Sequence, residues 1–395
     1  MQKIFIGRKQ EVDLLKKAFK PVNIPTRSLL FIVGPSGIGK TALSKKVLEE
    51  LRKESNIITI YIDFGRTYSN LQEALQDLVR GFEKHVLDYK SAFEKFMEKL
   101  RSMKNKISEI STPIVSLRPF EEQPPPLQFF QDLIDSFVNE LSECGYLATI
   151  VIDELQNFLR FTNWSAWGLV KFFMSQQEKQ GNVQFVFTTS DYIFRKRILS
   201  DRIPVEYIDT FYLGEMTKED SIELLEEIMK RASINKNIEH KMIENIVDQI
   251  GGVPALLYNL INYSVKYEMS INDVLRYFEK RVYEDLVEKL KAIRKSTIID
   301  HGTYYEDAGW SKVKNYLVKL ADSPISISEI NMDIFSEIDK LVDSNILQYA
   351  CKEYLGIYKW NKEKSGGMCY LDVIAPSNRL YYRALKDYVS KNFGA

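Results

Sequence analysis

The stretch SLLFIVGPSGIGKTAL, Ser28–Leu43, joins an apolar run to a glycine-rich turn and then to a helical pattern. It has the spacing G-x-x-x-x-G-K-[ST], which begins at Gly34 and ends in Gly39, Lys40 and Thr41. Glycines let a backbone bend around an anion, and successive amides then point inward at the start of a helix, where the dipole favours negative charge. The stretch therefore predicts a phosphate-binding loop, a Walker A motif, between a buried strand and a helix.

Residue types within the loop predict individual roles. The Lys40 side chain has the reach and the charge to contact the β- and γ-phosphates of a nucleotide, and the Thr41 hydroxyl is a ligand for Mg²⁺. The predicted nucleotide-binding residues are Gly34, Pro35, Ser36, Gly37, Ile38, Gly39, Lys40, Thr41 and Ala42.

A second apolar run, LATIVIDEL, ends in two acids and predicts a Walker B motif. Ala148–Ile152 is a continuous apolar run of the kind that central parallel strands show. Asp153 follows and would hold Mg²⁺, and Glu154 would orient and deprotonate the attacking water. Two adjacent acids favour a hydrolytic motor or switch over a small-molecule kinase.

A third strand, VQFVFTTSD, ends in hydroxyl groups that could sense the γ-phosphate. Thr188, Thr189 and Ser190 are all candidates, since alternation cannot separate them without a register. We favour Thr189 or Ser190 as the catalytic sensor.

The order of elements predicts an α/β domain with a doubly wound parallel sheet. Five strands, near Leu29, Ile57, Ala148, Val183 and Val205, alternate with helices, and the strand Val205–Leu213 is expected to be the last of the sheet. This P-loop ATPase domain spans 1–213. An insertion at about 83–126 separates the two motifs, and we expect a solvated excursion there, with a lid or partner arm as the alternative.

Two smaller domains follow. Residues 214–300 predict a helical lid and linker, in which Thr217 is a helix N-cap and the sequence GGVP, ending at Pro254, stops one helix and starts the next. Residues 301–395 predict a winged-helix domain with strands over NILQYA, YLGIYKW and MCYLDVI.

The predicted wing carries bases and aromatic rings. The segment YKWNKEK contains Lys359, Trp360, Lys362 and Lys364, a mixture that suits contact with a nucleic-acid backbone and stacking on a base. The domain as a whole holds twelve acids and twelve bases from Thr303 onward, so protein contact or simple packing remains open as the alternative.

Composition bounds the possible partners. Fifty-four Lys and Arg balance fifty-four Asp and Glu, so no global charge recruits nucleic acid or a membrane. No apolar run approaches the roughly 20 residues of a membrane-spanning helix, and no signal-peptide core begins the chain, so we expect a cytoplasmic protein without membrane contact. Three cysteines, Cys144, Cys351 and Cys369, are too few for a disulfide framework or a zinc site, and free thiols are expected, with a single bridge between Cys351 and Cys369 as the alternative.

The chain resembles the archaeal ATPase family of P-loop proteins, which is close to the AAA+ and STAND classes. The resemblance is carried by IGRKQEVDLL, GPSGIGKT, IVIDELQNF, FVFTTSD, GGVP and DVIAPSNRLYYRAL. It implies ATP with Mg²⁺ as the cofactor, with Gly7 and Arg8 near the adenine and Pro254 at the nucleotide site. It also implies an arginine finger, for which Arg202 is favoured and Arg195 and Arg197 compete.

Two functional hypotheses remain open. In the first, the protein is an ATPase that remodels, anneals or loads onto DNA through its winged-helix tail. In the second, it is a signalling or regulatory switch whose tail and insertion bind protein partners. Self-association is compatible with both.

Overall fold

The computed structural model describes most of the chain, in segments. The described residues are 4–22, 24, 26–54, 56–65, 71–86, 93–110, 126–154, 157, 166–189, 207–234, 239–301, 303–330, 335–357, 365–368, 371 and 373–393. The chain divides into two compact units. The first unit comprises Met1–Glu11, Val33–Lys40 and Phe211–Ala395, and the second comprises Val12–Ile32 and Thr41–Thr210.

A six-stranded sheet with the order β2-β3-β4-β1-β5-β8 is the main sheet of the fold. Its strands are β1 (Leu29–Val33), β2 (Ile57–Asp63), β3 (Leu147–Asp153), β4 (Val183–Thr189), β5 (Ile208–Leu213) and β8 (Gly366–Met368). The pairs β2–β3 and β3–β4 are parallel, whereas β5–β8 is antiparallel. The predicted α/β fold is confirmed, with helices between β1 and β2, β2 and β3, and β3 and β4, but the expectation that the fifth strand is the last was wrong.

Helices of the second unit lie between the strands in sequence. They are α2 (Lys40–Leu51, of which Lys40 belongs to the first unit), α3 (Leu71–Val86), α4 (Glu94–Ile110), α5 (Pro126–Cys144) and α6 (Ala166–Gln180). Helix α1 (Lys9–Phe19), of which Lys9–Glu11 belong to the first unit, precedes β1. Phe173 packs against both Phe185 and Phe187 of β4. The continuous apolar runs of β1 and β3 are buried almost throughout, as expected for central parallel strands.

The insertion is not a solvated excursion over its described part. Phe93 and Phe96 are buried and contact the ring of Phe137 on α5, and Phe96 also contacts Phe82 on α3. An apolar stripe on α4 therefore packs into an aromatic core shared with α3 and α5, because burying these rings is worth more than solvating the helix. Residues 111–125 lie outside the described residues.

The first unit contains helices over 214–300, the range for which the sequence predicts a helical lid. Its helices are α7 (Lys218–Arg231), α8 (His240–Ile250), α9 (Pro254–Tyr267) and α10 (Ile271–His301). Thr217 caps α7, since its hydroxyl accepts the Asp220 backbone N–H at 3.1 Å, and Pro254 is the first residue of α9. Both local predictions are confirmed. Helix α10 continues to His301, and no glycine or proline interrupts it before that residue.

The C-terminal residues of the first unit form helices around a small sheet. They are α11 (Thr303–Leu320), β6 (Ile325–Ser326), α12 (Phe335–Asp343), β7 (Leu347–Ala350), β9 (Val373–Pro376) and α13 (Arg379–Phe393). Strand β9 pairs antiparallel with both β6 and β7. This arrangement fits the expected winged helix.

One strand prediction in this region was wrong, and a second fails over its described part. The segment YLGIYKW is not a strand over Tyr354–Ile357, since the 3-10 turn Lys352–Tyr354 ends at its first residue and Tyr354, Leu355 and Ile357 are all buried, a pattern without the alternation of a half-buried strand. Residues 358–360 of the segment lie outside the described residues. The run MCYLDVI is split, since Met368 ends β8 in the large sheet and Val373 begins β9 in the small one.

No described helix is long and apolar enough to cross a membrane. Neither Cys144 nor Cys351 forms a disulfide with another described residue, and Cys369 lies outside the described residues.

Candidate nucleotide site

The tips of three parallel strands bring polar side chains together in the second unit. Asp63 of β2 lies in register with Asp153 of β3, and Asp153 lies in register with Thr188 of β4. Registered residues of parallel strands project to the same face, so the acid of the Walker B motif has a polar neighbour on each side.

Three hydroxyl groups donate hydrogen bonds to the Asp153 carboxylate. Thr41, in the first turn of α2, donates to Oδ2 at 2.6 Å. Tyr61 of β2 also donates to Oδ2, and Thr188 donates to Oδ1. We call Thr41, Tyr61, Asp153 and Thr188 the strand-tip cluster. It places the hydroxyl of the Walker A threonine directly against the Walker B aspartate.

Burial dominates the electrostatics of this cluster. Asp153 is 2% exposed, and its pKa is raised because desolvation disfavours the carboxylate; the hydrogen bonds from Thr41 and Tyr61 act in the opposite direction, and the charges of Glu154 and Asp63 add to the rise. Burial, followed by the charge of Asp153, likewise raises the pKa of Tyr61. The raised pKa favours the protonated phenol, which is the form that donates to Asp153.

Glu154 has an unusual backbone for its residue type. Its φ is 55°, in the left-handed region that few non-glycine residues adopt, and its N–H donates to the carbonyl of Thr188 at 3.0 Å. Its side chain is half-buried. Such backbone outliers cluster at functional sites, and this one turns the chain sharply just after the Walker B aspartate.

The phosphate-binding loop belongs to the first unit as far as Lys40. Lys40 is 6% exposed, and its ammonium donates to the carbonyls of Gly34 and Pro35 at 2.8 and 3.0 Å. The lysine thus folds back over its own loop, and its charge is satisfied by backbone oxygens. Ser36 and Gly37 are exposed at the tip of the loop, and Ile38 is buried beneath it.

The GGVP turn contacts this loop directly. The Ala255 backbone N–H donates to the Gly37 carbonyl at 3.2 Å, and Pro254 lies near Gly39. Gly37 has φ 77°, and a Cβ there would lie 2.7 Å from the Cβ of Ala255, so only glycine fits. The structure therefore brings Pro254 and its neighbours to the loop that the sequence assigned to phosphate.

Behind the turn lies a buried ion pair. Glu215, just after β5, accepts from the backbone N–H groups of Gly252 and Arg379 and lies 3.7 Å from the Arg379 guanidinium. Burial raises the pKa of Glu215, and the Arg379 charge lowers it. This pair links the end of β5, the GGVP turn and the start of α13.

Arg8 also contacts the loop. Arg8 is 4% exposed, and its guanidinium donates to the carbonyls of Ile38 and Gly214, both at 3.0 Å, and to the Ser365 hydroxyl at 3.1 Å. Gly7 and Arg8 together make a left-handed turn, with φ values of 70° and 56°. Sequence reasoning included both residues only through the family resemblance.

Several predicted residues cannot be placed. The favoured sensor Ser190, the finger candidates Arg195, Arg197 and Arg202, and the wing residues Lys359, Trp360, Lys362 and Lys364 lie outside the described residues. Of the other sensor candidates, Thr188 makes the contact with Asp153, and Thr189 is buried at the end of β4.

Sequence reasoning missed Tyr61. The alternation in IITIYID, in which Tyr61 and Asp63 share a face, could have placed a phenol at the tip of β2. The signal was overlooked because an aromatic residue in a strand is ordinarily part of the core.

The oxygen donors at the strand tips fit a magnesium ion. Mg²⁺ prefers hard oxygen ligands and is usually held by one or two carboxylates or hydroxyls together with phosphate oxygens and water. Thr41 Oγ1 and Asp153 Oδ2 supply such a pair at adjacent positions.

Comparison with known families agrees with this geometry. Residues 5–260 match the model of a family described as an ATPase domain predominantly from Archaea. The match covers more than half of the chain and includes both Walker motifs and the GGVP turn. The chain therefore belongs to this archaeal ATPase family.

Individual relatives extend the similarity beyond that domain. An uncharacterized ATP-binding protein of Methanocaldococcus jannaschii is 21% identical over 71% of this chain and 76% of its own length. One of Pyrococcus abyssi is 22% identical over 80% of this chain and 92% of its own. A solved Walker-type ATPase of Pyrococcus abyssi aligns with a TM-score of 0.54 at 15% identity, covering 97% of this chain and 96% of the other, and shows that the fold is shared.

Proposed function

We propose that the chain binds ATP with Mg²⁺ at this site and hydrolyses it to ADP and phosphate. The observation that carries the proposal is the hydrogen bond between Thr41, the last residue of the Walker A spacing, and Asp153 at the tip of β3. Family membership and the ATP-binding relatives support the choice of nucleotide.

Each residue of the candidate site has a defined part in the proposed reaction. Backbone amides from Gly37 to Thr41 bind phosphate oxygens, and the Lys40 ammonium leaves the Gly34 and Pro35 carbonyls for the β- and γ-phosphates. Thr41 and Asp153 would hold a magnesium ion, which when bound would supply positive charge against the phosphates. Glu154 orients a water and takes its proton, and a hydroxyl at the end of β4 contacts the γ-phosphate.

The Glu154→Gln variant tests the hydrolytic step. Because the amide cannot take a proton, turnover should fall by about 10²- to 10⁴-fold, while the affinity for ATP stays within about threefold. Glu49→Gln, an exposed position on α2, is the matched control. Turnover is measured by phosphate release and affinity by equilibrium binding of a fluorescent ATP analogue. Near-normal turnover in Glu154→Gln would remove it as the base.

We further propose that the C-terminal domain binds the partner on which the ATPase acts, and that this partner is DNA. The winged-helix-like order of elements and the bases and tryptophan of the wing support this assignment. A regulatory switch with protein partners is the second candidate, and the equal numbers of acids and bases in this domain favour it.

DNA dependence of turnover separates the two candidates. If DNA is the partner, single- or double-stranded DNA should stimulate turnover, and the stimulation should fade as salt rises. Changing Lys359, Lys362 and Lys364 together to Glu should abolish the stimulation and leave basal turnover intact. The control carries the same charge change at the exposed Lys312, Lys352 and Lys386. Indifference to DNA, with nucleotide-dependent self-association, would favour the switch.

A further inference from the structure

The backbone of Arg8 is fixed on the first turn of α7. Its N–H donates to the Asp220 carboxylate at 3.1 Å, and a Cβ on the preceding Gly7 would lie 2.2 Å from the Asp220 Cγ. Asp220 is itself held, since its own N–H is bonded to the N-cap residue Thr217. Arg8 therefore extends its side chain from a rigid base.

The Arg8 guanidinium then fixes the phosphate-binding loop. Its Nη2 donates to the Ile38 carbonyl. A planar trans peptide points its carbonyl and the next N–H in opposite directions, and no described peptide bond is cis. With the Ile38 carbonyl held toward Arg8, the Gly39 N–H is held away from Arg8. Gly39 is one of the loop residues whose amides would meet the phosphates.

The same guanidinium binds the segment that adds β8 to the large sheet. Its Nη1 donates to Ser365 Oγ, and Ser365 donates to the Glu11 carboxylate from its N–H at 2.5 Å and from its hydroxyl at 3.0 Å. The Gly214 N–H donates to the Ser365 carbonyl at 2.7 Å. Ser365 immediately precedes β8, and in the sequence both lie within the C-terminal domain.

Arg8 remains charged in this environment. Burial lowers its pKa to about 10, against the opposing effects of the Glu11 and Asp220 charges, so the guanidinium is protonated at neutral pH. A planar, charged fork can serve three acceptors at once, which a lysine ammonium at the same position cannot do with the same geometry.

We propose that Arg8 is a positioning residue that orients the Ile38–Gly39 peptide for phosphate binding and couples nucleotide affinity to the segment Ser365–Met368. The proposal rests on the proposed nucleotide binding. Coupling of this kind is reciprocal, so bound nucleotide must stabilise the segment as much as the segment favours nucleotide. This positioning role differs from a contact between Arg8 and the adenine base, because the guanidinium holds the loop and not the base.

Binding of two ligands to two variants tests the positioning role. Arg8→Lys should weaken both ADP and inorganic tripolyphosphate by about tenfold, since a hydrogen bond from a charged donor is lost in each case. Ser365→Ala should weaken both by about twofold to fivefold, and by less than twofold when Arg8 is already Lys. Ser326→Ala, on β6, is the matched control and should change neither. Full-length protein is used throughout, and circular dichroism verifies that each variant is folded.

Hydrogen exchange tests the coupling. Saturating ADP should slow amide exchange over Gly366–Met368 in the wild type and have no effect there in Arg8→Lys. If Arg8 acted only in folding, ADP would have the same effect on exchange over this segment in the wild type and in Arg8→Lys.

The outcomes separate the inference from the proposed function. If the wild type binds neither ADP nor ATP, the proposed function and the inference both fail. If the wild type binds ADP and Arg8→Lys binds both ligands equally well, the inference alone fails. If Arg8→Lys weakens ADP and leaves tripolyphosphate unchanged, Arg8 contacts the base and the positioning role is overturned. Unchanged exchange over Gly366–Met368 in the wild type would overturn the coupling.

Discussion

The phosphate-binding loop and the strand-tip cluster perform their proposed tasks with different parts of the chain. In the strand-tip cluster, the chemistry lies in side chains, and adjacent parallel strands hold them in register. In the loop, the binding groups are mostly backbone amides, and contacts from elsewhere in the chain hold them: the guanidinium of Arg8 and the Ala255 N–H of the GGVP turn. One region is built by the sheet and the other by contacts between residues far apart in the sequence.

This difference leads to separate expectations for the two regions. Substitutions on the loop should change the affinity for nucleotide whether or not Mg²⁺ is present. Substitutions in the strand-tip cluster should change the part of the affinity that Mg²⁺ supplies, and leave metal-free binding nearly intact. Three substitutions can break or sharpen this division.

The largest effect is expected for Lys40→Ala on the loop. Loss of a charged donor to two phosphates should weaken ATP and ADP binding by about 100-fold, both in Mg²⁺ and in EDTA. Equilibrium binding of a fluorescent nucleotide in the two buffers measures both values.

Lys46→Ala, farther along the same helix and paired with Glu50, is the control and should stay within about twofold of the wild type. If Lys40→Ala loses affinity only in the presence of Mg²⁺, the proposed division between the two regions does not hold.

Much of the fold could be predicted because its signals are local. The apolar runs at Leu29 and Ala148 are central strands, and Thr217 and Pro254 begin helices where capping rules place them. The loop and the acidic strand tip follow recognisable sequence patterns. The sequence alone therefore predicts that Thr41 and Asp153 belong to the same magnesium site.

Features that depend on distant residues could not be predicted in the same way. Strand β8 is three residues long and includes two glycines, and it is a strand because Phe211–Leu213 offers an edge to pair with. The burial of α4 depends on rings from α3 and α5, and its many charges masked its apolar stripe. The Thr188 contact required the register of β4 against β3, which no single strand contains.

An intermediate effect is expected for Asp153→Asn in the strand-tip cluster. The amide removes the charge that would attract Mg²⁺ and presents a donor to hydroxyls that now donate to Asp153. The gain in ATP affinity on adding Mg²⁺ should shrink by about tenfold, and the affinity in EDTA should stay close to that of the wild type.

Asp63→Asn is the comparison for this substitution, since Asp63 is in register with Asp153 but is exposed and accepts its own bond from the Gly65 N–H. If Asp153→Asn loses as much ATP affinity in EDTA as in Mg²⁺, Asp153 contributes to nucleotide binding independently of Mg²⁺, as the loop is expected to do.

The smallest effect is expected for Tyr61→Phe, which removes one of the three donors to Asp153 and keeps the ring. Thr41 and Thr188 still donate to the carboxylate, so it stays partly oriented, and the concentration of Mg²⁺ for half-maximal turnover should rise by only about threefold. Binding of ATP in EDTA should not change. Tyr146→Phe, at a half-buried position of the second unit, is the matched control and should behave as the wild type. If Tyr61→Phe requires the same concentration of Mg²⁺ as the wild type, the two threonines are sufficient to orient Asp153. Tyr61 would then serve only to pack β2 against β3.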